Sequence, residues 1–178
     1  MLIYDVLKTD HDKLKELLNE LVQLSEADSN RRQSLIEQIH DEFIPHARAE
    51  ESVFYNSLRA IDSAKDIALH GFEEHMEAEA LLRHLQGKDK IDSNWKETAE
   101  KFKKAVEHHI SEEEGRVFTV AQQLFTQEEA QMMAQAFEQI KPEVREEGFL
   151  RQTLDTVANL MPPRFAASLR TFNLNPRP

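Results

Sequence analysis

Cysteine is absent from this 178-residue chain. Disulfides and thiolate-bound metals are thereby excluded. Glycine is scarce, with four residues, and proline occurs six times. Such a chain has few natural breaks, and strand-like alternation is missing as well. Apolar runs stay far short of the roughly 18 residues that a membrane helix needs. The start, MLIYDVLKTDHD, turns acidic too soon for a secretory signal. A cytoplasmic location is the default expectation. Excess positive charge is also absent: the formal net charge is −11. That argues against general nucleic-acid binding, which relies on lysine and arginine to neutralise phosphates. One local exception is the segment 162–178, PPRFAASLRTFNLNPRP, which carries three arginines and no acid.

What remains is helical periodicity. It predicts helices over about 2–24, 32–60, 64–85 and 93–124. SEADSN, IDSAKD and GKDKIDS form the connections, with Asp62 or Ser63 capping the third helix. Long helices joined by short loops predict an all-α fold, an antiparallel up-down four-helix bundle with additional C-terminal helices. The domain division expected is 1–124 for the bundle and 125–178 for an extension packed on it, its tail partly irregular. Thr126-Gln-Glu-Glu129 reads as a capping box opening a fifth helix. Met132, Met133, Ala136, Phe137 and Ile140 follow at helical spacing, and Pro142 is expected to end it. Leu150, Leu154 and Val157 predict a sixth helix before Pro162-Pro163.

The bundle region carries an internal repeat. HARAEESVFY, from His46, aligns with HISEEEGRVF, from His109, at an offset of 63. HDKLKELL, from His11, aligns with HMEAEALL, from His75, at an offset of 64. Each half therefore supplies a lone histidine on its first helix and a His-x-x-x-Glu on its second.

At about 100° per residue, His11, His46, His75 and His109 fall on the apolar stripes of their helices. Glu50 and Glu113 lie about 40° from their histidines and also face inward. His40, His84 and His108 turn away, as do Glu51, Glu112 and Glu114, which are expected in solvent. His70 is about 140° from His75, out of reach without a local distortion. Two converging buried carboxylates are costly unless protons or cations intervene. Arg116, about 20° from His109, offers one answer, a polar core network with Glu113. Metal ions offer another. Imidazoles and bridging carboxylates would give each of two ions about four protein donors, a set compatible with iron, manganese or zinc.

The ordered blocks LKTDHDKLKELL, HARAEESVFY, EEHMEAEALL and HHISEEEGRVF resemble the hemerythrin-like HHE cation-binding family over about residues 3–120. Ferritin-like bundles use paired Glu-x-x-His motifs instead, and only Glu37-x-x-His40 has that spacing, on the wrong face. The resemblance implies a non-haem di-iron centre with a bridging oxygen. In it His11 and His46 would serve one iron, His75 and His109 the other, and Glu50 and Glu113 would bridge. It also implies a small-molecule ligand such as O2, peroxide or nitric oxide, in sensing, stress response or iron handling. The departures are specific. Oxygen-carrying hemerythrins have five histidines, with His-x-x-x-His on the third helix; here that position reads His75-x-x-x-Glu79. Glu79 is thus a candidate ligand, an imidazole acceptor, or solvated; His70 is a weaker candidate. Fewer imidazoles weaken the case for reversible O2 carriage. Two other readings stand beside the first: a di-iron peroxidase or oxidase, with Tyr55 either packing or in proton transfer, and a metal-free structural or interaction bundle. The acidic surface and extra helices leave room for a protein partner or a homodimer.

Overall fold

A computed structural model describes residues 1–88, 90–145 and 160–166. Every described regular element is helical. Helix α1 spans Ile3–Gln23. Helix α2 spans Ser29–Glu50, continues through a π-helical turn at Glu51–Tyr55, and ends as α3, Asn56–Arg59. A 3-10 turn at Asp62–Ala64 leads into α4, Lys65–Gln86. Helix α5, Ser93–Glu112, passes through a second π turn at Glu113–Val117 into α6, Phe118–Leu124. Helix α7 spans Gln127–Arg145.

Short connections force successive rods to run antiparallel, and α1, α2, α4 and α5 close into a four-helix ring. Helix α7 lies against α1 and α2. The local signals behind these boundaries are visible. Asp92 accepts a hydrogen bond from the Trp95 amide at 2.8 Å, capping α5. Thr126 and Glu129 exchange bonds of 2.8 and 3.2 Å, the expected capping box of α7.

Three expectations need correction. The third bundle helix has no side-chain cap from Asp62 or Ser63; the 3-10 turn makes the entry instead. Helix two begins at Ser29, three residues early, because Asp28 folds back on the Ser25 amide and hydroxyl and starts the helix there. Pro142 does not end α7, which continues to Arg145. A proline costs one internal hydrogen bond, and the packed Phe137 and Ile140 just before it hold the helix in place. The sixth helix expected around Leu150, Leu154 and Val157 lies outside the described residues.

The apolar core comes in two parts. One gathers Leu14, Leu18, Leu35, Ile39, Trp95 and Phe102. The other gathers Leu7, Val53, Phe54, Tyr55, Phe118 and, from α7, Met133, Phe137 and Ile140. Between them sit six fully buried polar side chains: His11, His46, Glu50, His75, His109 and Glu113. Phe137 is wholly buried and meets the His46 ring edge-on at 5.8 Å between centroids. Phe137→Ala should therefore destabilise the chain by about 3–5 kcal/mol, read as a lower midpoint in urea unfolding.

Candidate metal centre

The four histidines stand on four different helices of the ring and aim their Nε2 atoms at one another. His11 Nε2 lies 3.1 Å from Glu113 Oε2. Glu50 Oε2 lies 3.6 Å from His46 Nε2 and 3.3 Å from His75 Nε2. The Nε2 atoms of His75 and His109 are 3.0 Å apart. His109 Nε2 is 3.9 Å from both Glu50 and Glu113. Two donor groups result, His11–His46–Glu50 and Glu50–His75–His109, sharing Glu50.

Donors about 2.1 Å from a common ion stand roughly 3.0–3.4 Å from one another. The separations above fall close to that range. Both oxygens of Glu50, both oxygens of Glu113 and Nε2 of His11 are buried with no hydrogen-bond partner. Each such orphan carries a desolvation cost of about 1–3 kcal/mol or more. No lysine or arginine among the described residues pairs with either carboxylate. Arg116 is exposed rather than paired with Glu113, because the π turn unwinds that segment and breaks the 100° count. The polar network with arginine is therefore not formed.

Protons fill in for the missing positive charge. Burial, and then the charge of Glu50, push Glu113 up to about 7. Burial works against a charged Glu50 too, yet Glu113 and the imidazoles of His46, His109 and His75 hold it well below the carboxylate range. Burial also opposes charge on His109, but Glu50, Glu74 and Glu113 around it outweigh burial and raise it to about 10. Burial lowers His46, with Glu50 only partly opposing. A donor set that must recruit protons to stay buried is chemically suited to cations.

An outer shell fixes the rings. Every Nδ1 faces a carboxylate: His11 with Glu114 at 3.0 Å, His46 with Asp10 at 3.0 Å, His75 with Glu51 at 3.0 Å and His109 with Glu74 at 2.9 Å. Each carboxylate accepts Nδ1–H and so leaves Nε2 as the free donor for a metal. Glu51 and Glu114 were expected in solvent; they are partly buried acceptors instead. A helix face turned 100° from the bundle axis still meets the neighbouring helix, which the wheel does not distinguish from water. Asp10 and Glu74 escaped the sequence reading altogether. The repeat could have found all four: Glu51 aligns with Glu114 at offset 63, and Asp10 with Glu74 at offset 64.

The weaker candidates lie elsewhere. Glu79 reaches no imidazole; it pairs with Arg48 and Arg83. Arg48 in turn holds Glu51, so Glu79 acts three contacts away from His75. His70 is half-exposed and faces Glu74 and Glu112. His40, His84 and His108 are exposed, as expected.

Tyr55 is buried, its ring 5.9 Å from His75 and 6.3 Å from His109. Burial and the surrounding carboxylates push its hydroxyl well above the usual phenol range, so it stays protonated. Gly71 makes room for it: a Cβ there would stand 2.5 Å from the Tyr55 ring. Tyr55 and Gly71 line a cavity of about 230 Å³ that opens between α4 and α5 beside the centre.

The family model described as Hemerythrin HHE cation binding domain matches residues 2–121. A DNA nickase from Nostoc sp. (strain PCC 7120 / SAG 25.82 / UTEX 2576) is 26% identical over 146 residues, 82% of this chain and 41% of that protein. The chain thus spans less than half the length of this relative. No solved structure matches.

Removing the outer acceptors tests the shell. Glu51→Gln and Glu114→Gln should each weaken metal affinity by about 10- to 100-fold, measured by competition with a chromophoric chelator. Glu79→Gln should change it far less.

Proposed function

Because the chain belongs to the hemerythrin HHE cation-binding domain family, we propose that it is a non-haem di-iron protein. In this reading it binds or reacts with O2, peroxide or nitric oxide in sensing, stress response or iron handling. The observation that carries the reading is the pair of donor groups sharing Glu50, with four orphaned carboxylate oxygens between four outer-fixed imidazoles. His11 and His46 would hold one ion, His75 and His109 the other, with Glu50 and Glu113 between them. Manganese and zinc suit the same donors. A pair of irons there would supply redox chemistry toward a small oxidant.

The chain's own residues set the conditions. The apolar clusters on either side keep bulk water from the buried carboxylates. The π turns, at Glu51–Tyr55 and Glu113–Val117, widen two helices where the centre needs room. Tyr55, kept protonated by burial and by the charges of Glu113 and Glu50, lines the cavity, so its hydroxyl can donate to an arriving ligand. No helix among the described residues is long and apolar enough to cross a membrane. A peroxidase or oxidase role would use the same groups, with Tyr55 as proton donor.

The nickase relative supports a second reading, in which the metal serves strand cleavage. Supercoiled plasmid incubated with metal-loaded chain separates the two. Relaxed circles that disappear in Glu50→Ala would favour cleavage; unchanged plasmid favours the small-molecule reading.

Anaerobic Fe(II) reconstitution followed by air should give near-UV charge-transfer bands. Glu50→Ala and Glu113→Ala should abolish them, while circular dichroism shows that the helices persist. Metal should also stabilise the fold. Free ion at a hundredfold excess over Kd should add about 2.7 kcal/mol per site, seen as a higher Tm that a chelator reverses.

A further inference from the structure

The four outer carboxylates are not equally served. Asp10 pairs with Lys141 at 2.8 Å, Glu51 with Arg48 at 3.2 Å and Glu114 with Lys15 at 3.2 Å. Glu74 pairs with no lysine or arginine among the described residues. Its Oε2 receives His109 Nδ1, while its Oε1 is buried without a hydrogen-bond partner. That orphaned oxygen faces two imidazoles, His70 Nε2 at 3.6 Å and His108 Nε2 at 3.8 Å. His70 Nε2 also lies 3.2 Å from Glu112 Oε2. His70, Glu74 and Glu112 can each bring one ligand atom within 4.8 Å of the others. All three line the cavity beside Tyr55. Arg116 lines it too, but forms no ion pair with Glu74 or Glu112.

We propose that His70, Glu74 and Glu112 form a second, peripheral site for a divalent cation, with His108 as an outer neighbour. The ion would supply the positive charge at Glu74 that Lys141, Arg48 and Lys15 supply at the other three carboxylates. One imidazole and two carboxylates without thiolate suit borderline ions such as Zn(II), Fe(II), Co(II) and Mn(II). Separations of 3.2 and 3.6 Å suit donors on a common ion. His70 and Glu112 are partly exposed while the Glu74 oxygen is covered, so the site reaches from solvent to the carboxylate that orients His109. It therefore stands where a cation entering the cavity first meets protein donors, one residue removed from the buried centre. The site does not depend on which metal fills that centre.

Isothermal titration of Zn(II) into the metal-free full chain tests this. The wild type should take up one equivalent more than His70→Ala/Glu112→Gln, or bind its weakest equivalent at least tenfold more tightly. Single variants His70→Gln and Glu112→Gln, at partly exposed positions, should show the same loss and guard against misfolding of the double variant. His40→Ala/His84→Ala should leave uptake unchanged; loss of the extra equivalent there would assign it to scattered surface histidines and overturn the site. Equal stoichiometry and affinity in wild type and His70→Ala/Glu112→Gln would also overturn it. Glu50→Gln/Glu113→Gln, which disables only the buried centre, should keep the peripheral equivalent. If the buried-centre reading fails, wild type and this variant should both show that equivalent alone.

Discussion

Two carboxylates, Glu50 and Glu113, face each other in the middle of a helical bundle, and no lysine or arginine among the described residues meets them. Burying one unpaired carboxylate costs several kcal/mol, and a second nearby raises that cost. The rest of the architecture answers this constraint. Four helices each bring one imidazole to the pair. Two apolar clusters seal the polar layer on either side. The π turns fall directly after Glu50 and at Glu113, where a regular helix would pack too tightly around the donors. Without cations the site must borrow protons, which is why Glu113 is pushed up to about 7 while Glu50 stays ionised.

Around this layer the sequence repeat becomes a repeat of contacts. Within each hairpin, the residue before the lone histidine holds the histidine of the other helix: Asp10 holds His46, and Glu74 holds His109. Between hairpins, the residue after each central glutamate crosses over: Glu51 holds His75, and Glu114 holds His11. Each half-structure thus helps to hold an imidazole of the other, so neither hairpin can form the polar layer alone. The symmetry breaks only further out. Lys141, from a helix beyond the family match, backs Asp10, whereas Glu74 opens onto a cavity. The two histidine pairs therefore sit in different electrostatic settings, one closed by a cation and one accessible.

Much of this was legible in the sequence, and the gaps have physical causes. Helical period and short loops were enough for the bundle. The inward histidines and glutamates followed from the wheel because the core stripe is its strongest signal. Glu51 and Glu114 were misplaced because the wheel knows one axis, while a helix in a bundle has flanking neighbours as well. Arg116 was misplaced because the π turn alters the angle per residue. The start of α2 and the course of α7 past Pro142 were misjudged because local turn bonds and tertiary packing outweighed propensity. Asp10 and Glu74 had a signal, the register of the repeat, that applies to every residue beside a repeated histidine.

The family membership and the geometry converge on cation binding, and the sharing of Glu50 between two donor groups supports the proposal of a paired site. Iron-edge anomalous diffraction from crystals of anaerobically iron-loaded protein tests this most directly. The account predicts two peaks between Glu50 and Glu113, one beside His11 and His46, the other beside His75 and His109. A single peak, or iron found only away from these side chains, would contradict it.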